Sequence, residues 1–228
     1  MNGYRSVASV IVFDLDDTLY LERDFVRSGF AAVDKWINDR FDISGFFDRA
    51  WALFEAGRRG DIFDRALVDL EIRASSDLVQ HLVRIYRGHA PSITLAPDAE
   101  EALTALCRRR RAALLTDGYR TTQARKVAAL GLSTRLRPVI YTDELGSGMQ
   151  KPHPQGFLAI QKEFGFASGE FVYVADNPSK DFIGPRALGW KTLRVRRPEG
   201  QYSHLSVEPA RDADTTVASL RELDLAEL

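Results

Sequence analysis

The sequence predicts an α/β fold in which a parallel sheet carries helices on both faces and a helical segment is inserted after the first strand. Three observations support this prediction. Short apolar runs recur along the chain, helical patterns separate the later runs, and a long helical stretch follows the first run. Strands that alternate with helices are typical of parallel sheets, because each crossover helix packs back onto the sheet.

The predicted strands are short and rich in β-branched or other apolar residues. The first, residues 7–13, is nearly continuous in apolar character, as expected for a strand that is buried on both faces. It ends at Asp14. The other predicted strands are residues 112–115, Val139–Tyr141, Phe171–Ala175, 192–195 and, at the edge of the sheet, Thr215–Val217.

Helical patterns separate or follow these strands. Thr121 or Thr122 is the expected cap of one helix, and Gly131 and Gly165 are expected to stop two of the helices. Pro154 is expected to open one of them. The patterns predict helices over residues 99–107, 121–130, 154–164, 179–189 and 220–228.

Residues 20–91 contain no convincing strand. Apolar residues recur there at helical spacing, from Val26 to Ile37, from Phe47 to Phe54 and, after a cap at Ser76 or Asp77, from Leu78 to Ile85. A single crossover needs one helix, so this stretch is too long for a simple connection. We therefore expect two domains, with residues 1–19 and 92–228 forming the α/β core and residues 20–91 forming a helical cap.

Composition excludes several classes of protein. The net charge is −1, from 31 basic and 32 acidic residues, which gives no general attraction to nucleic acid or to an anionic membrane. The basic run at residues 108–111 follows a predicted helix and is interpreted as a solvated helix end. Cys107 is the only cysteine, which excludes an intrachain disulfide and a thiolate metal cluster.

The first apolar run is too short to cross a bilayer, and no signal peptide is evident. We expect a soluble cytoplasmic protein that is a monomer or a homodimer. Its expected partner is a small molecule, with no nucleic acid and no membrane.

Acidic residues come directly after the first predicted strand. Asp14, Asp16 and Asp17 place three carboxylates within four residues, and such groups repel one another unless a cation compensates. Ligands of parallel sheets bind outside the carboxyl ends of the strands. Oxygen ligands that are few and negatively charged suit magnesium.

Polar residues follow or flank later elements in the same way. Thr116 ends the second predicted strand and precedes Asp117, where a hydroxyl and loop amides can hold phosphate oxygens. Lys151 precedes a predicted helix and offers a positive charge. Asp176 follows the strand Phe171–Ala175, with Asp181 five residues later. Each feature alone is weak, because such residues often cap helices, but their order is specific.

These residues resemble the four motifs of the haloacid dehalogenase (HAD) superfamily. The segment Asp14-Leu15-Asp16-Asp17-Thr18 resembles the first motif, Asp-x-Asp-x-Thr, and Thr116 and Lys151 match the second and third. Asp176 and Asp181 match the fourth, with Ala175 in the place of the family's glycine. The helical insertion lies where C1 caps occur. The resemblance implies a Rossmann-like core with a C1-type cap.

The resemblance also implies a magnesium-dependent phosphatase that acts on a small phosphate monoester, a sugar phosphate or a nucleotide. Asp14 would be the nucleophile and Asp16 the general acid and base. Magnesium would be held by Asp14, Asp176 and the backbone carbonyl of Asp16. The phosphoryl group would be held by Asp14, Thr116, Asp117 and Lys151, and the site would be supported from outside by Thr18, Asn177 and Asp181.

Three alternatives remain open. A phosphomutase shares the same nucleophile and acid. A 2-haloacid dehalogenase is disfavoured by Asp16, because displacing a halide needs no proton donor. A catalytically idle phosphate-binding module would bind without turnover. Substrate specificity is open as well. A position on a solvated helix face explains most of the candidate contact residues equally well, and these are Tyr20, Arg23, Arg27, Arg58, Arg59 and Arg120.

Overall fold

The computed structural model describes residues 9–106 and 111–223. The chain separates into two compact units, Met1–Glu22 with Thr94–Leu228, and Arg23–Ile93. The first unit contains the sheet and the second is helical. We propose that they are the predicted core and cap, with boundaries a few residues from those expected at residues 19, 20, 91 and 92.

The sheet has six parallel strands in the order β3-β2-β1-β4-β5-β6. The helical insertion lies between β1 and β2. These features confirm the predicted α/β fold. The strands are β1 (Val10–Phe13), β2 (Arg111–Thr116), β3 (Val139–Tyr141), β4 (Phe171–Ala175), β5 (Lys191–Val195) and β6 (Thr215–Val217).

The first strand lies at the centre of the sheet, between β2 and β4. All residues of β1 and β4 are fully buried, which explains their continuous apolar sequences. The chain runs outward from β1 to β2 and β3 on one side and returns to β4 on the other. At such a reversal of strand order, a crevice opens at the carboxyl ends of the strands, where ligands bind.

Helices α5 to α8 belong to the sheet unit. On one face of the sheet, Phe157 and Phe171 pack with Trp190 in an apolar cluster. The ring centroids of Phe171 and Trp190 are 4.4 Å apart in a stacked arrangement. The helices are α5 (Pro97–Leu106), α6 (Arg120–Ala129), α7 (Gln155–Phe164) and α8 (Ile183–Ala187).

Two predicted helices differ from those observed. The residue that precedes α6 is Tyr119, whose side chain makes no capping hydrogen bond, so the expected cap at Thr121 or Thr122 is wrong. The helix predicted over residues 179–189 is shortened to α8. Its first residues form turns instead, because Asn177 Oδ1 accepts the N–H of Ser179 and Asp181 Oδ2 accepts the N–H of Asn177.

Three further expectations concern the ends of elements. Arg111, expected at a solvated helix end, is the first residue of β2 and lies opposite Val10. Cys107 and residues 108–110 lie outside the described residues. The predicted helix over residues 220–228 begins as a short 3₁₀ turn, Leu220–Glu222, and residues 224–228 are also outside the described range.

The second unit buries an apolar core between its helices, with Phe30 and Leu82 among its buried residues. The capping residue of α4 is Ser75, whose Oγ accepts the N–H of Leu78 at 3.3 Å, so the expected cap at Ser76 or Asp77 is wrong. The helix α3 was not predicted, because only seven residues carry its pattern. The helices are α1 (Glu22–Phe41), α2 (Phe46–Glu55), α3 (Ile62–Val68) and α4 (Ser76–Gly88).

None of the helices in the described part of the chain has the length and apolar character that crossing a bilayer requires.

Candidate active site

Asp14 lies at the carboxyl end of the central strand. Its N–H donates to the carbonyl of Val174 at 2.9 Å, which extends the pairing of β1 with β4 by one residue. The Nζ of Lys151 donates to Asp14 Oδ1 at 2.7 Å and to the hydroxyl of Tyr173 at 3.0 Å. The side chain of Lys151 is fully buried. The predicted nucleophile is therefore paired with the predicted lysine at the end of the sheet.

Three buried carboxylates meet at this point. Asp14, Asp176 and Asp181 each offer one oxygen, and these oxygens lie within 4.8 Å of one another. Asp176 Oδ2 has no hydrogen-bond partner among the described residues. Asp181 Oδ1 lies 2.8 Å from Lys151 Nζ, but without the alignment of a hydrogen bond. The cluster thus keeps buried oxygen atoms that further positive charge would stabilise.

The pKa values of these groups reflect the crowding. Burial, reinforced by the charges of Asp181 and Asp14, raises the pKa of Asp176 well above its ordinary value. Burial also raises the pKa of Asp14 to about 6, although Lys151 opposes the shift. Three crowded oxygen donors with this excess of negative charge fit a hard divalent cation such as magnesium.

Asp181 contributes to the cluster through one oxygen and to the loop through the other. Its Oδ2 accepts the N–H of Asn177 at 3.0 Å, and Asn177 Oδ1 accepts the N–H of Ser179 at 3.0 Å. These bonds hold the turn after β4, which places Asp176 beside Asp14. The predicted supporting roles of Asn177 and Asp181 stay predictions, and Asp181 is in addition a candidate metal ligand.

The side chain of Asp16 points to helix α6. Its Oδ1 accepts from Lys126 Nζ at 2.7 Å and from the hydroxyl of Tyr20, and its Oδ2 accepts from Gln123 Nε2 at 2.8 Å. Burial favours the neutral acid, but the ammonium of Lys126 and these hydrogen bonds lower the pKa of Asp16 below its ordinary value. In this arrangement Asp16 is ionised.

Thr116 and Asp117 form the loop that follows β2. The Oγ1 of Thr116 accepts from Gln123 Nε2 at 2.6 Å, and the side chain is almost fully buried. The carboxylate of Asp117 accepts from Thr142 Oγ1 at 2.9 Å, from the N–H of Lys151 at 3.2 Å and from Lys180 Nζ at 2.7 Å. Because its carboxylate is engaged in this way, we expect Asp117 to meet an anion through its backbone N–H.

Thr18 directly follows the first acidic loop, residues 14–17, which comes after β1. Its Oγ1 is buried without a hydrogen-bond partner among the described residues. Its carbonyl accepts from Arg197, at 3.0 Å from Nε and 2.7 Å from Nη2. Thr18 therefore contributes to the position of the loop through its backbone.

A pocket of about 250 Å³ opens at this edge of the sheet unit. The predicted site residues divide between its wall and the layer behind it. Thr18, Thr116, Lys151 and Asp181 belong to the second group, behind the wall. The residues that line the pocket are Asp14, Asp16, Asp17, Glu22, Asp117, Gly118, Asp176, Asn177, Lys180 and Tyr202.

Several residues of the site were not predicted. Gln123 and Lys126 lie three residues apart on the helix that follows β2, a spacing that puts both on one face, and this signal was available in the sequence. Lys180 lies inside the fourth motif. Burial, which lowers the pKa of an ammonium, is outweighed by carboxylates that include Asp181, so the pKa of Lys180 is raised. Glu22 and Tyr202 gave no comparable signal.

The candidate substrate-contact residues lie in both units. Arg120 opens α6 and pairs with Glu144 at 2.8 Å, with both side chains half exposed. The guanidinium groups of Arg23 and Arg27 lie over the ring of Trp51 in the helical unit. Also in that unit, Arg58 pairs with Asp61 and Arg59 lies over Phe54. Tyr20 holds Asp16.

Comparison with known proteins assigns the family. Residues 8–189 match the model of the haloacid dehalogenase-like hydrolases. The chain belongs to this family. The match covers all four predicted motifs and confirms the predicted family. The relatives include HAD-family phosphatases, which confirms the prediction that the protein is an enzyme of this family.

Two relatives and one solved structure describe its neighbourhood in the family. The chain is 31% identical to a phosphoserine phosphatase of Thermus thermophilus, over 96% of this chain and 98% of the relative. It is 29% identical to a glyceraldehyde 3-phosphate phosphatase of Methanocaldococcus jannaschii, over 93% and 94% of the two chains. The magnesium-bound structure of the HAD-hydrolase YfnB from Bacillus subtilis superposes with a TM-score of 0.68 at 17% identity, over 96% and 98%.

Proposed function

We propose that this HAD-family hydrolase is a magnesium-dependent phosphatase that hydrolyses a small phosphate monoester through an aspartyl-phosphate on Asp14. One observation carries the proposal. Asp14, at the end of the central strand, is held by Lys151 and lies in a cluster with Asp176 and Asp181 at the wall of a small pocket. A nucleophile, a phosphate-binding cation and oxygen ligands for a metal thus converge on one point.

In the first step, a carboxylate oxygen of Asp14 attacks phosphorus, and the bond from phosphorus to the leaving-group oxygen breaks. The leaving oxygen takes a proton from Asp16. This step needs Asp16 in its protonated form, whereas the hydrogen bond from Lys126 to Asp16 Oδ1 favours the ionised form. The product alcohol leaves, and the phosphoryl group remains on Asp14.

In the second step, water attacks the phosphorus of the aspartyl-phosphate. Asp16 takes the proton of that water, and the bond between phosphorus and the Asp14 oxygen breaks, which releases inorganic phosphate. The ionised Asp16 held by Lys126 and Gln123 is the form that this step requires. Lys151 stabilises the phosphoryl oxygens in both steps.

Asp14 and Asp176 would hold magnesium through their side chains, together with the backbone carbonyl of Asp16, as the family resemblance implies. Asp181, whose oxygen lies in the same cluster, is a further candidate ligand. Bound there, magnesium would supply positive charge next to the phosphoryl oxygens. Magnesium prefers oxygen ligands and retains water, which suits a cluster of three carboxylates at the wall of a polar pocket.

We propose a small sugar phosphate or a similar phosphorylated metabolite as the substrate. The pocket of the sheet unit, about 250 Å³, is below the range that is typical of larger ligands. The two relatives named above are phosphatases of phosphoserine and of glyceraldehyde 3-phosphate, which are both three-carbon esters. These observations favour a short leaving group over the nucleotide that the sequence left open.

Release of inorganic phosphate from a panel of esters tests the proposal. We expect turnover with magnesium and its loss after chelation by EDTA, with restoration when magnesium is added back. Enzyme quenched with acid during turnover should carry a phosphoryl group on the peptide that contains Asp14. A protein that binds esters but releases no phosphate from any of them would refute the proposal and favour the idle binding module.

The same experiment distinguishes the phosphomutase. A mutase returns the phosphoryl group to a second hydroxyl of the substrate, so it yields a rearranged ester and little inorganic phosphate. Fluoride or chloride release from 2-haloacids tests the dehalogenase in parallel. We expect no halide release, because Asp16 at the pocket wall offers a proton donor that displacing a halide does not need. We expect inorganic phosphate, not a rearranged ester, as the product.

A further inference from the structure

The loop between β5 and β6, residues 196–214, is fastened to the first acidic loop. Arg197 donates to the carbonyl of Thr18 and, at 2.8 Å, to Asp98 Oδ1, and its side chain is almost fully buried. The N–H of Gln201 donates to Asp17 Oδ2 at 2.9 Å. Asp17 has a φ of 52°, which few residues adopt, so these contacts hold a strained loop in place.

Arg194 fixes the same loop to the fourth motif. Its side chain is 1% exposed, and it donates to the carbonyl of Asp176 at 3.1 Å and to the carbonyl of Tyr202 at 2.8 Å. Further bonds go to the carbonyl of Leu205 at 2.8 Å and to Asp212 Oδ2 at 3.1 Å. One buried guanidinium therefore sets the position of Tyr202 relative to a candidate metal ligand.

The side chain of Tyr202 faces the pocket, while its backbone makes the structural contact. Tyr202 lines the pocket together with Asp14 and Lys180, and it is half-buried. In the described part of the chain, its hydroxyl has one long contact, 3.4 Å from Gln201 Nε2. The hydroxyl is thus positioned by the loop and retains capacity to bind another group.

Polar and charged groups, among them Glu22 and Lys180, surround Tyr202. Burial raises its pKa, and Glu22 is the nearby charge that adds most to this shift, so the hydroxyl stays protonated. Glu22 is itself a lining residue, and burial raises its pKa to about 7, so near neutral pH it can donate as well as accept a hydrogen bond. The phosphoryl group belongs beside Asp14 and Lys151, so this wall is available to the other end of an ester.

We propose that Tyr202 is a specificity-determining residue whose hydroxyl hydrogen-bonds a polar group on the leaving group of the substrate. This proposal rests on the phosphatase function proposed above. A hydroxyl-bearing leaving group gains this bond, and an apolar one of the same length leaves the tyrosine hydroxyl without it. Loss of one such bond changes selectivity by about tenfold.

The test compares two esters of similar size, glycerol 3-phosphate and propyl phosphate, on the magnesium-loaded enzyme. We expect Tyr202→Phe to lower kcat/KM for glycerol 3-phosphate by about tenfold and to leave propyl phosphate and inhibition by inorganic phosphate nearly unchanged. His204→Ala, an exposed residue of the same loop, is the matched control and should change neither. Equal losses on both esters, or no loss, would overturn the proposal.

Binding separates this proposal from the proposed function. Calorimetry of the two esters with the Asp14→Asn protein, with and without Tyr202→Phe, measures discrimination when turnover is blocked. Tyr202-dependent preference for glycerol 3-phosphate in a protein whose unsubstituted form releases no phosphate would keep the subsite and refute the phosphatase. Turnover without such a preference would keep the phosphatase and refute the Tyr202 subsite. Absence of both binding and turnover would refute the phosphatase and the subsite.

Discussion

The two compact units bury different chemistry. At the carboxyl edge of the sheet, the charged side chains of Asp14, Lys151 and Asp181 are at most 8% exposed. In the helical unit, Phe30 packs against Phe54, Phe63 and Tyr86, with ring centroids about 6 Å apart. Apolar burial stabilises a fold, whereas buried charges commonly cost stability unless they are well paired.

This difference indicates that the two interiors have different roles. The aromatic core of the helical unit contributes stability through burial and packing. The charges of the sheet unit include carboxylates whose pKa values are raised by burial and by one another, so their ionised forms oppose folding. A cluster that costs stability and lines a pocket is explained by the reaction that we propose for it. Substitutions in the two interiors should therefore have opposite effects.

The largest expected effect is that of Asp14→Asn. Phosphate release should fall by at least about a thousandfold, because the amide is a poor nucleophile. The folded-state pKa of Asp14, about 6, lies above its ordinary value of 3.8, so its ionised form at pH 7 is disfavoured by folding. In the variant, the amide oxygen still accepts from Lys151 Nζ, which also lies 2.8 Å from Asp181 Oδ1. The melting temperature of the variant in EDTA should therefore be no lower than that of the unsubstituted protein.

Calorimetric melting and a phosphate-release assay measure the two quantities. Asp64→Asn is the matched control, because it makes the same substitution at an exposed position of α3. It should leave both activity and melting temperature unchanged. An active Asp14→Asn enzyme would refute the nucleophile, and a clearly lower melting temperature would refute the view that this charge opposes folding.

A smaller and selective effect is expected for Asp16→Asn. An alkyl ester has a poor leaving group, so loss of the proton donor should lower its kcat by about a hundredfold or more. An aryl ester such as p-nitrophenyl phosphate leaves readily without a proton and should lose less. Damage from the lost contact with Lys126 affects both esters alike, so the ratio of the two rates reports the acid. Equal losses would argue against the role.

The sequence predicted the sheet better than the ends of the helices. The strands Val139–Tyr141, Phe171–Ala175 and Thr215–Val217 are observed with the predicted bounds. Phe171–Ala175 shows the clearest reason, because it is fully buried and carries a continuous apolar run. Helix starts depend on which side chain makes a cap, and neighbouring polar residues compete for that role. The start of α4 illustrates this, with Ser75 as the observed cap in place of Ser76.

Sequence reasoning could predict the residues of the candidate site that lie at the ends of strands. Asp14, Thr116 and Asp176 follow directly from the ends of adjacent parallel strands, which meet at one edge. Tyr202 could not be found in this way. It belongs to a polar loop without periodicity, and its place at the pocket depends on the buried bonds of Arg194 and Arg197, which are set by tertiary structure.

The smallest expected effect tests the helical unit. Ile37 is fully buried in its apolar core, so Ile37→Val should cost about 0.5–1.5 kcal/mol through the lost methylene and the space that it leaves. The melting temperature should fall by about 2–4 °C per kcal/mol. Lys35→Ala on the same helix removes an exposed pair with Asp39 and should cause no measurable change. If Ile37→Val lowers the melting temperature more than Asp14→Asn does, the stability of the fold comes from apolar packing. If Asp14→Asn lowers it more, the contrast between the two units is contradicted.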